Sequence, residues 1–187
     1  MFGQPGAHHQ ARWRPRVTPG SKTGPPAHYL NISQGVLCRE PTRVITVLGS
    51  CVSVTLFSRR LGIGSIFHAL MPQWKAQENG QLFNVFKYAD SAVEAQLNAM
   101  HELGVTISGL ECKVFGGANA LFPHEVSVGD RNVRSALEAL AAHKVRVKAM
   151  DVGGNVGRKL VFYSHTGDVF VKRLNQPECR VRRKGAK

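Results

Sequence analysis

RVITVLGSCVSVTLFSRRLGIGSIFHALMP, residues 43–72, is the stretch that decides the fold, because it places three apolar runs in close succession. The first run, Val44 to Leu48, enters a Gly49-Ser50 turn, and the second run, Val52 to Phe57, leaves it. The third run, Ile63 to Met71, follows a short basic connection. Runs of this length, rich in β-branched residues, predict three neighbouring strands joined by tight turns.

Cys51 lies at the bend between the first two predicted strands, and His68 lies in the third. A bend leaves backbone N–H groups unpaired and a side chain accessible, as a nucleophile requires. Two adjacent strands joined by a short turn would bring the thiol and the imidazole within reach. An imidazole can lower the pKa of a thiol, about 8.5 in free cysteine, and then carry the proton to a leaving group. The pair therefore suggests acyl transfer through a thioester, although a buried structural cysteine and histidine are the commoner arrangement.

Length and composition favour one domain in a reducing compartment. The chain has 187 residues, enough for a single domain with a substantial core. It contains no apolar run of about 18 residues and no secretory h-region, so we expect a cytoplasmic protein without membrane insertion. The cysteines show no CxxC spacing, which argues against a zinc knuckle or a disulfide framework. No metal or cofactor is expected.

The net charge of +13 is concentrated at the two ends of the chain. Residues 1–28 contain four bases and no acid, and residues 175–187 contain five bases and one acid. Both ends are poor in apolar residues, which predicts disordered basic tails around a single domain at residues 29–174. Such tails can attract nucleic acid or anionic lipid weakly. Because the predicted domain has no aromatic stacking cluster and no recognition motif, specific nucleic-acid binding is not expected.

The segments on either side of the apolar runs predict further elements. Upstream, the stretch from Tyr29 alternates as a strand does, with a Gln34-Gly35 turn inside it. Downstream, the polar stretch from Trp74 to Phe83 predicts a surface loop that flanks the site and contacts substrate. Helical spacing predicts two amphipathic helices, at Tyr88–Leu103 and Val128–His143, the first ending near Gly104.

Shorter apolar runs predict the remaining strands, which are Cys112–Phe115, Val145–Met150, Leu160–Tyr163 and Val169–Leu174. The last two are joined by a predicted hairpin at Thr166-Gly167-Asp168. Two glycine-rich turns, at Gly116-Gly117 and Gly153-Gly154, do not match a phosphate-binding loop. Strands early and late in the chain, with two helices between them, favour an α+β fold over a doubly wound α/β fold.

A series of motifs, in this order and spacing, resembles the CheD family of chemoreceptor glutamine deamidases. The motifs are LGSC (48–51), FHALMP (67–72), KYADSAV (87–93), KVFGGAN (113–119), VGDRNV (128–133), DVGGNVGRK (151–159) and VKRL (171–174). The resemblance covers residues 29–174. It implies a layered sandwich of mixed β-sheets with helices packed outside, similar to the thiol hydrolases among deamidating bacterial toxins.

The same resemblance implies a cytoplasmic chemotaxis enzyme. Members hydrolyse side-chain amides of particular glutamines on methyl-accepting chemotaxis receptors, giving glutamate and ammonia. Cys51 matches the family's nucleophile, and His68 matches its general base and acid. A threonine upstream of the cysteine orients the histidine in the family. Thr46 is the nearest candidate here, although the position six before the cysteine is Ile45, and Asn155-Val156 stands where Thr-His is expected.

The bend also predicts how negative charge would be stabilised on the substrate. The backbone N–H groups of Ser50 and Cys51 are the expected oxyanion donors, a contribution of about 3 kcal/mol per donor in other enzymes.

Two alternatives to glutamine deamidation remain open. One is a weakly catalytic or non-catalytic binding module that regulates a CheC-type phosphatase. The other is methylester hydrolysis at the same receptor sites, through the same thioester.

Overall fold

A computed structural model describes residues 24–74, 83–119 and 127–174 of the chain. Within these residues the chain forms nine β-strands and two α-helices. The strands are β1 (Ala27–Tyr29), β2 (Gln34–Cys38), β3 (Arg43–Leu48), β4 (Val52–Ser58), β5 (Ile63–His68), β6 (Leu110–Gly116), β7 (Val147–Val152), β8 (Arg158–Tyr163) and β9 (Val169–Arg173). The helices are α1 (Ala89–His101) and α2 (Val128–Ala142), and single 3₁₀ turns occupy Val85–Lys87 and Ile107–Gly109.

The strands form two mixed sheets. One has four strands in the order β1-β3-β8-β9, and the other has five in the order β2-β5-β4-β6-β7. Each contains one parallel pair, β1 with β3 and β6 with β7, and its other pairs are antiparallel. The predicted α+β class is therefore confirmed, with two helices and two mixed sheets arranged as a sandwich.

Strand β4 runs through the centre of the five-stranded sheet, and every one of its residues is buried. Val52, Val54 and Leu56 belong to the core cluster that both helices complete. Because side chains alternate across a strand, the residues between them face the four-stranded sheet instead. Both faces of β4 are covered, which explains why its sequence reads as a continuous apolar run.

The space between the two sheets holds two smaller core clusters. The first unites strands of both sheets through residues such as Val44, Ile66 and Phe162. The second consists of Leu48, Cys51, Phe115 and Leu160. The bend between β3 and β4 therefore places the Cys51 side chain between the sheets.

Both predicted helices are confirmed within one to two residues of their expected ends. Helix α1 ends at His101, and Gly104 takes a left-handed φ of +71° just beyond it. The predicted hairpin between the last two strands is also confirmed. Its Gly167 has a φ of +76°, a conformation that glycine adopts without a Cβ penalty.

The predicted turn at Gln34-Gly35 is wrong. Both residues lie in β2 and pair with His68 and Phe67 of β5. The chain turns earlier, at Ile32-Ser33, where it crosses from one sheet to the other. Gly35 is needed for close packing, because a Cβ there would overlap the Phe86 ring.

Two predicted strands are displaced along the chain. The strand expected at Val145–Met150 is Val147–Val152, because its parallel pairing with β6 sets its position. The third apolar run leaves its strand at His68 and does not continue to Met71. The Leu70 and Met71 amides donate instead to the Lys87 carbonyl, which draws this segment toward α1.

Some predictions fall outside the described residues. These include most of the tails predicted at residues 1–28 and 175–187, and most of the loop predicted at Trp74–Phe83. Strand β1 begins at Ala27, slightly before the expected start at Tyr29. In the described part of the chain, neither helix has the length and apolar character needed to cross a bilayer.

Candidate active site

Cys51 lies between the end of β3 and the first residue of β4, with 6% of its surface exposed. Its carbonyl oxygen accepts a hydrogen bond of 2.8 Å from the Gly117 amide, and the Gly49 carbonyl accepts one of 2.8 Å from the Ala118 amide. Gly116 has a φ of +112°, and a Cβ at this position would overlap the Cys51 carbonyl oxygen. The glycine turn therefore fits closely against the backbone of the nucleophile segment.

His68 is the last residue of β5, and strand pairing brings it to the same face as Cys51. Val52 and Ala69, the residues that follow Cys51 and His68, exchange backbone hydrogen bonds of 3.0 and 2.9 Å. In this antiparallel register Cys51 and His68 are diagonal neighbours, a relation that separates Cα atoms by about 7 Å in sheets. The register therefore places the two residues that the sequence predicted as a pair on neighbouring positions of adjacent strands.

Thr46 of β3 contacts the His68 ring from the opposite sheet. Its Oγ1 lies 2.8 Å from Nδ1 of His68 and donates its hydrogen to the Leu30 carbonyl, also at 2.8 Å. A hydroxyl has one hydrogen to donate, so toward His68 it must accept. Nδ1 therefore carries the ring proton, and the lone pair of the neutral imidazole is on Nε2.

The second ring nitrogen of His68 is available as a base. Among the described residues, Nε2 is buried and has no hydrogen-bond partner. Burial lowers the pKa of His68 from 6.5 to about 4, although the Leu30 carbonyl opposes the shift. The imidazole is therefore neutral at physiological pH and can take up a proton only when the reaction supplies one.

Burial also raises the pKa of the Cys51 thiol, and its own amide N–H opposes this shift only in part. The site at rest thus holds a neutral thiol and a neutral imidazole, not a preformed thiolate and imidazolium. Desolvation is the main cause of the raised thiol pKa, and a neutral imidazole supplies no positive charge to oppose it. A thiol in this state can act as a nucleophile only if its proton is removed during the attack.

The predicted oxyanion donors are free in the described part of the structure. The amides of Ser50 and Cys51 have no backbone or side-chain acceptor there. Both amides can donate to an oxygen on the carbon that the sulfur attacks.

Arg158 holds the two glycine turns in place, a function that sequence reasoning missed. Its side chain is 2% exposed and forms an ion pair of 3.0 Å with the Asp151 carboxylate. The guanidinium also donates to the carbonyls of Gly116, Asp151 and Gly153. The sequence contained one indication of this role. An arginine at the start of an apolar strand is buried by its neighbours and must then be paired.

Asn132 of α2 was also missed, because nothing in a helical pattern distinguishes one buried amide. Its Nδ2 donates to the carbonyls of Ser50 at 2.9 Å and Leu70 at 3.0 Å. Its place within VGDRNV, on the buried side of a helix with polar neighbours, was the available signal.

The other cysteines in the described residues have a structural environment. Cys38 and Cys112 are buried free thiols, and burial raises their pKa values to about 11 and about 12. No group of three or more His, Cys, Asp or Glu side chains in the described residues could hold a metal ion. Among these cysteines, only Cys51 lies at a bend with free amides beside it.

Comparison with known proteins gives consistent matches. A family model described as CheD chemotactic sensory transduction matches residues 70–173. The chain is 42% identical over 156 residues to a probable chemoreceptor glutamine deamidase CheD of Maridesulfovibrio salexigens, covering 79% of this chain and 92% of the relative. It is 43% identical over 156 residues to a Geobacter sulfurreducens protein named probable chemoreceptor glutamine deamidase CheD 2, covering 82% and 94%. A similarly named protein of Oleidesulfovibrio alaskensis is 39% identical over 168 residues, covering 86% and 79%.

Proposed function

This chain belongs to the CheD family, and on that premise we propose that it hydrolyses glutamine side-chain amides of methyl-accepting chemotaxis receptors to glutamate and ammonia. The relatives' names supply the reaction and the kind of substrate. The observation that carries the site assignment is the Thr46 contact, which leaves Nε2 of His68 as the unprotonated ring nitrogen, in a strand register that makes His68 a diagonal neighbour of Cys51. The family-model match begins after both residues, so their roles rest on geometry and motif order.

The reaction begins when the Cys51 sulfur attacks the carboxamide carbon. As the C–S bond forms, Nε2 of His68 accepts the thiol proton, and the carbonyl oxygen takes up negative charge. The Ser50 and Cys51 amides donate to this oxygen. The C–N bond then breaks, and the imidazolium returns the proton to the leaving nitrogen, which departs as ammonia.

Water completes the cycle. Nε2 of His68 takes a proton from water as the hydroxyl group adds to the thioester carbon. The C–S bond breaks, the glutamate side chain is released, and the proton returns to the Cys51 sulfur. The sum is amide plus water giving carboxylate and ammonium, with the protein unchanged.

The low pKa of His68 favours the return of the proton in both stages of the reaction. The proton goes to the leaving nitrogen in the first stage and to the Cys51 sulfur in the second. Thr46 and the Leu30 carbonyl contact the imidazole as neutral dipoles, and no carboxylate among the described residues faces Nδ1. An imidazolium in this setting is a strong acid and gives its proton readily to the departing ammonia. The same feature slows formation of the imidazolium, so the oxyanion donors must supply much of the stabilisation.

The finer predictions from the resemblance are part of the same proposal. They are a cytoplasmic location, access to the cytoplasmic helices of the receptors, and a fold related to deamidating-toxin hydrolases. Regulatory contact with a CheC-type phosphatase stays a prediction, and no observation in the described residues favours it. Methylester hydrolysis would use the same thioester and is best separated by experiment.

The test is intact-mass analysis of a receptor cytoplasmic fragment after incubation with the protein. We expect a gain of about one dalton at each modified glutamine, with release of ammonia. Cys51→Ala should leave the mass unchanged while keeping the fold. A fragment methylated at glutamate, assayed in parallel, would lose methanol if ester hydrolysis were the main activity. Unchanged mass with the wild-type protein on every receptor fragment would refute the proposal.

A further inference from the structure

Asn132 ties together the two chain segments that carry Cys51 and His68. Its side chain lies on α2 and is fully buried. The Nδ2 group donates one hydrogen bond to the Ser50 carbonyl, at 2.9 Å, and one to the Leu70 carbonyl, at 3.0 Å. Ser50 immediately precedes the nucleophile, and Leu70 lies just beyond the histidine. One amide group thus spans both sides of the catalytic pair.

Backbone pairing does not extend to this end of the two segments. Val52 and Ala69 form an isolated pair, held by two backbone hydrogen bonds. Beyond that pair the chain turns away from β4, because the Leu70 amide donates to the Lys87 carbonyl. In the described structure, the hydrogen bonds of Asn132 join the Ser50 and Leu70 segments at the place where a longer ladder would join them by backbone pairing.

Pairing is also interrupted on the other side of the isolated pair. The regular β4–β5 ladder begins only at Thr55 and Ile66. Between the two paired regions, the Phe67 carbonyl accepts a hydrogen bond of 2.6 Å from the Ser53 hydroxyl. On the β5 side His68 also pairs with Gln34 of β2, but toward β4 the segment is held by the isolated pair and by side-chain hydrogen bonds on both sides of it, so these bonds contribute to the distance between His68 and Cys51.

The chemistry of Asn132 fits this task better than a packing role. Reversing the amide would place Oδ1 against two carbonyl oxygens, so the orientation is fixed. In the described structure Oδ1 is buried without a hydrogen-bond partner, which destabilises the fold. A leucine would fill a similar volume without that cost. The two hydrogen bonds to the catalytic segments are what the asparagine adds.

We propose that Asn132 is a positioning residue for the deamidation. By holding the carbonyls of Ser50 and Leu70, it sets the distance over which the Cys51 thiol passes its proton to Nε2 of His68. The inference rests on the proposed function, since it concerns the proton transfer that begins that reaction. A displacement of about 1 Å at a reacting pair can cost about 10²-fold in rate.

The first test compares Asn132→Asp with a matched control on the same helix. The aspartate is nearly isosteric, but its carboxylate would repel both carbonyl oxygens. The control is Ser135→Ala, because the Ser135 hydroxyl donates to the Pro72 carbonyl at 2.5 Å and does not touch the Cys51 segment. We expect Asn132→Asp to lower kcat about 10²-fold with KM within about twofold. Ser135→Ala should keep kcat near the wild-type value, and a wild-type kcat in Asn132→Asp would overturn the proposal.

A second test needs no receptor. The rate of Cys51 alkylation by iodoacetamide at neutral pH is measured by peptide mass spectrometry in wild type, Asn132→Asp, His68→Gln and the double variant. If Asn132 acts through the thiol–imidazole distance, its substitution slows alkylation in the wild-type background and has no further effect once His68 is replaced. Equal slowing in both backgrounds would overturn the proposal, as would equal rates for wild type and His68→Gln.

Folding is checked by circular dichroism before either test. If Asn132→Asp does not fold, Asn132→Ser replaces it, because serine keeps one uncharged donor. If neither variant folds, Asn132 serves the fold and the positioning proposal is wrong. Failure of the two proposals is distinguishable. Coupled alkylation without receptor deamidation would refute the substrate assignment alone, and deamidation without coupling would refute the positioning role alone.

Discussion

Thr46 on one sheet accepts a hydrogen bond from Nδ1 of His68 on the other, across 2.8 Å of the sandwich interior. The direction of this bond is set by the Leu30 carbonyl, which takes the only hydrogen of the Thr46 hydroxyl. The contact between sheets therefore does more than pack the core. It fixes which imidazole nitrogen carries the proton and which one is free for the proposed role of base.

Substituting Thr46 tests this relationship. Thr46→Val keeps the shape and removes the hydroxyl, so Nδ1 of His68 loses the Thr46 oxygen as an acceptor and the tautomer is less firmly fixed. We expect kcat for deamidation to fall by about 10- to 100-fold. Thr46→Ser keeps the hydroxyl and should retain most of the activity. Imidazole ¹⁵N chemical shifts should show the proton on Nδ1 in the wild type, and a proton on Nε2 would contradict the assignment.

The buried imidazole makes stability depend on pH. The pKa of His68 falls from 6.5 to about 4 on folding, so between these values the unfolded chain binds a proton that the folded chain does not. The free energy of unfolding should therefore decrease as the pH falls from 6.5 toward 4, by up to about 3 kcal/mol from this residue. Urea denaturation of wild type and His68→Gln over that range measures the difference. Parallel pH profiles for the two proteins would show that His68 is not the cause.

Alanine substitutions at Gly116 and Gly62 distinguish the effect of backbone strain from the effect of displacing the Cys51 segment. Both glycines have positive φ, so alanine at either position should cost about 1 kcal/mol in backbone conformation alone, before any overlap of the added Cβ. At Gly62 nothing lies near an added Cβ, whereas at Gly116 the Cβ would overlap the Cys51 carbonyl oxygen. We expect Gly62→Ala to keep its kcat and Gly116→Ala to lose most of it. Equal kcat values in the two variants would mean that the nucleophile segment tolerates displacement.

Arg158 and Arg59 contrast a buried ion pair with an exposed one. Arg158 is 2% exposed and also donates to three backbone carbonyls, whereas Arg59 is 77% exposed beside Glu111. Arg158→Met leaves those carbonyls without their donor and leaves the Asp151 carboxylate with only the exposed Arg173 at 3.4 Å, so we expect a loss of about 3–5 kcal/mol in unfolding free energy. Arg59→Ala should cost less than about 1 kcal/mol. Thermal and urea denaturation compare the two, and a similar small loss in both would contradict the role given to Arg158.

Local pattern was sufficient to predict much of the fold and the placement of Cys51 and His68 on adjacent strands. The apolar runs around Cys51 predicted three strands because both faces of β4 are covered, and helical spacing predicted α1 and α2. Cys51 and His68 were predicted together because a short turn between strands forces them to be neighbours. Information of this kind is local, and a single sequence contains it.

Contacts between distant segments could not be predicted in the same way. Gly35 was interpreted as a turn residue because its real constraint, the Phe86 ring, lies far along the chain. Asn132 and Arg158 hold the site through backbone carbonyls, which have no sequence signature. The pKa of Cys51 depends on burial between two sheets, so the expected lowering by an imidazole could not be weighed against desolvation beforehand.

The most direct test of the central claim is to trap the acyl group on Cys51. A receptor fragment and the protein are mixed, quenched in acid within a single turnover, digested and analysed by mass spectrometry. The account predicts the Cys51 peptide carrying the receptor glutamine peptide less ammonia, with the adduct lost on exposure to hydroxylamine, as a thioester is. Formation of glutamate by Cys51→Ala at the wild-type rate would contradict the account, since the nucleophile would then lie elsewhere.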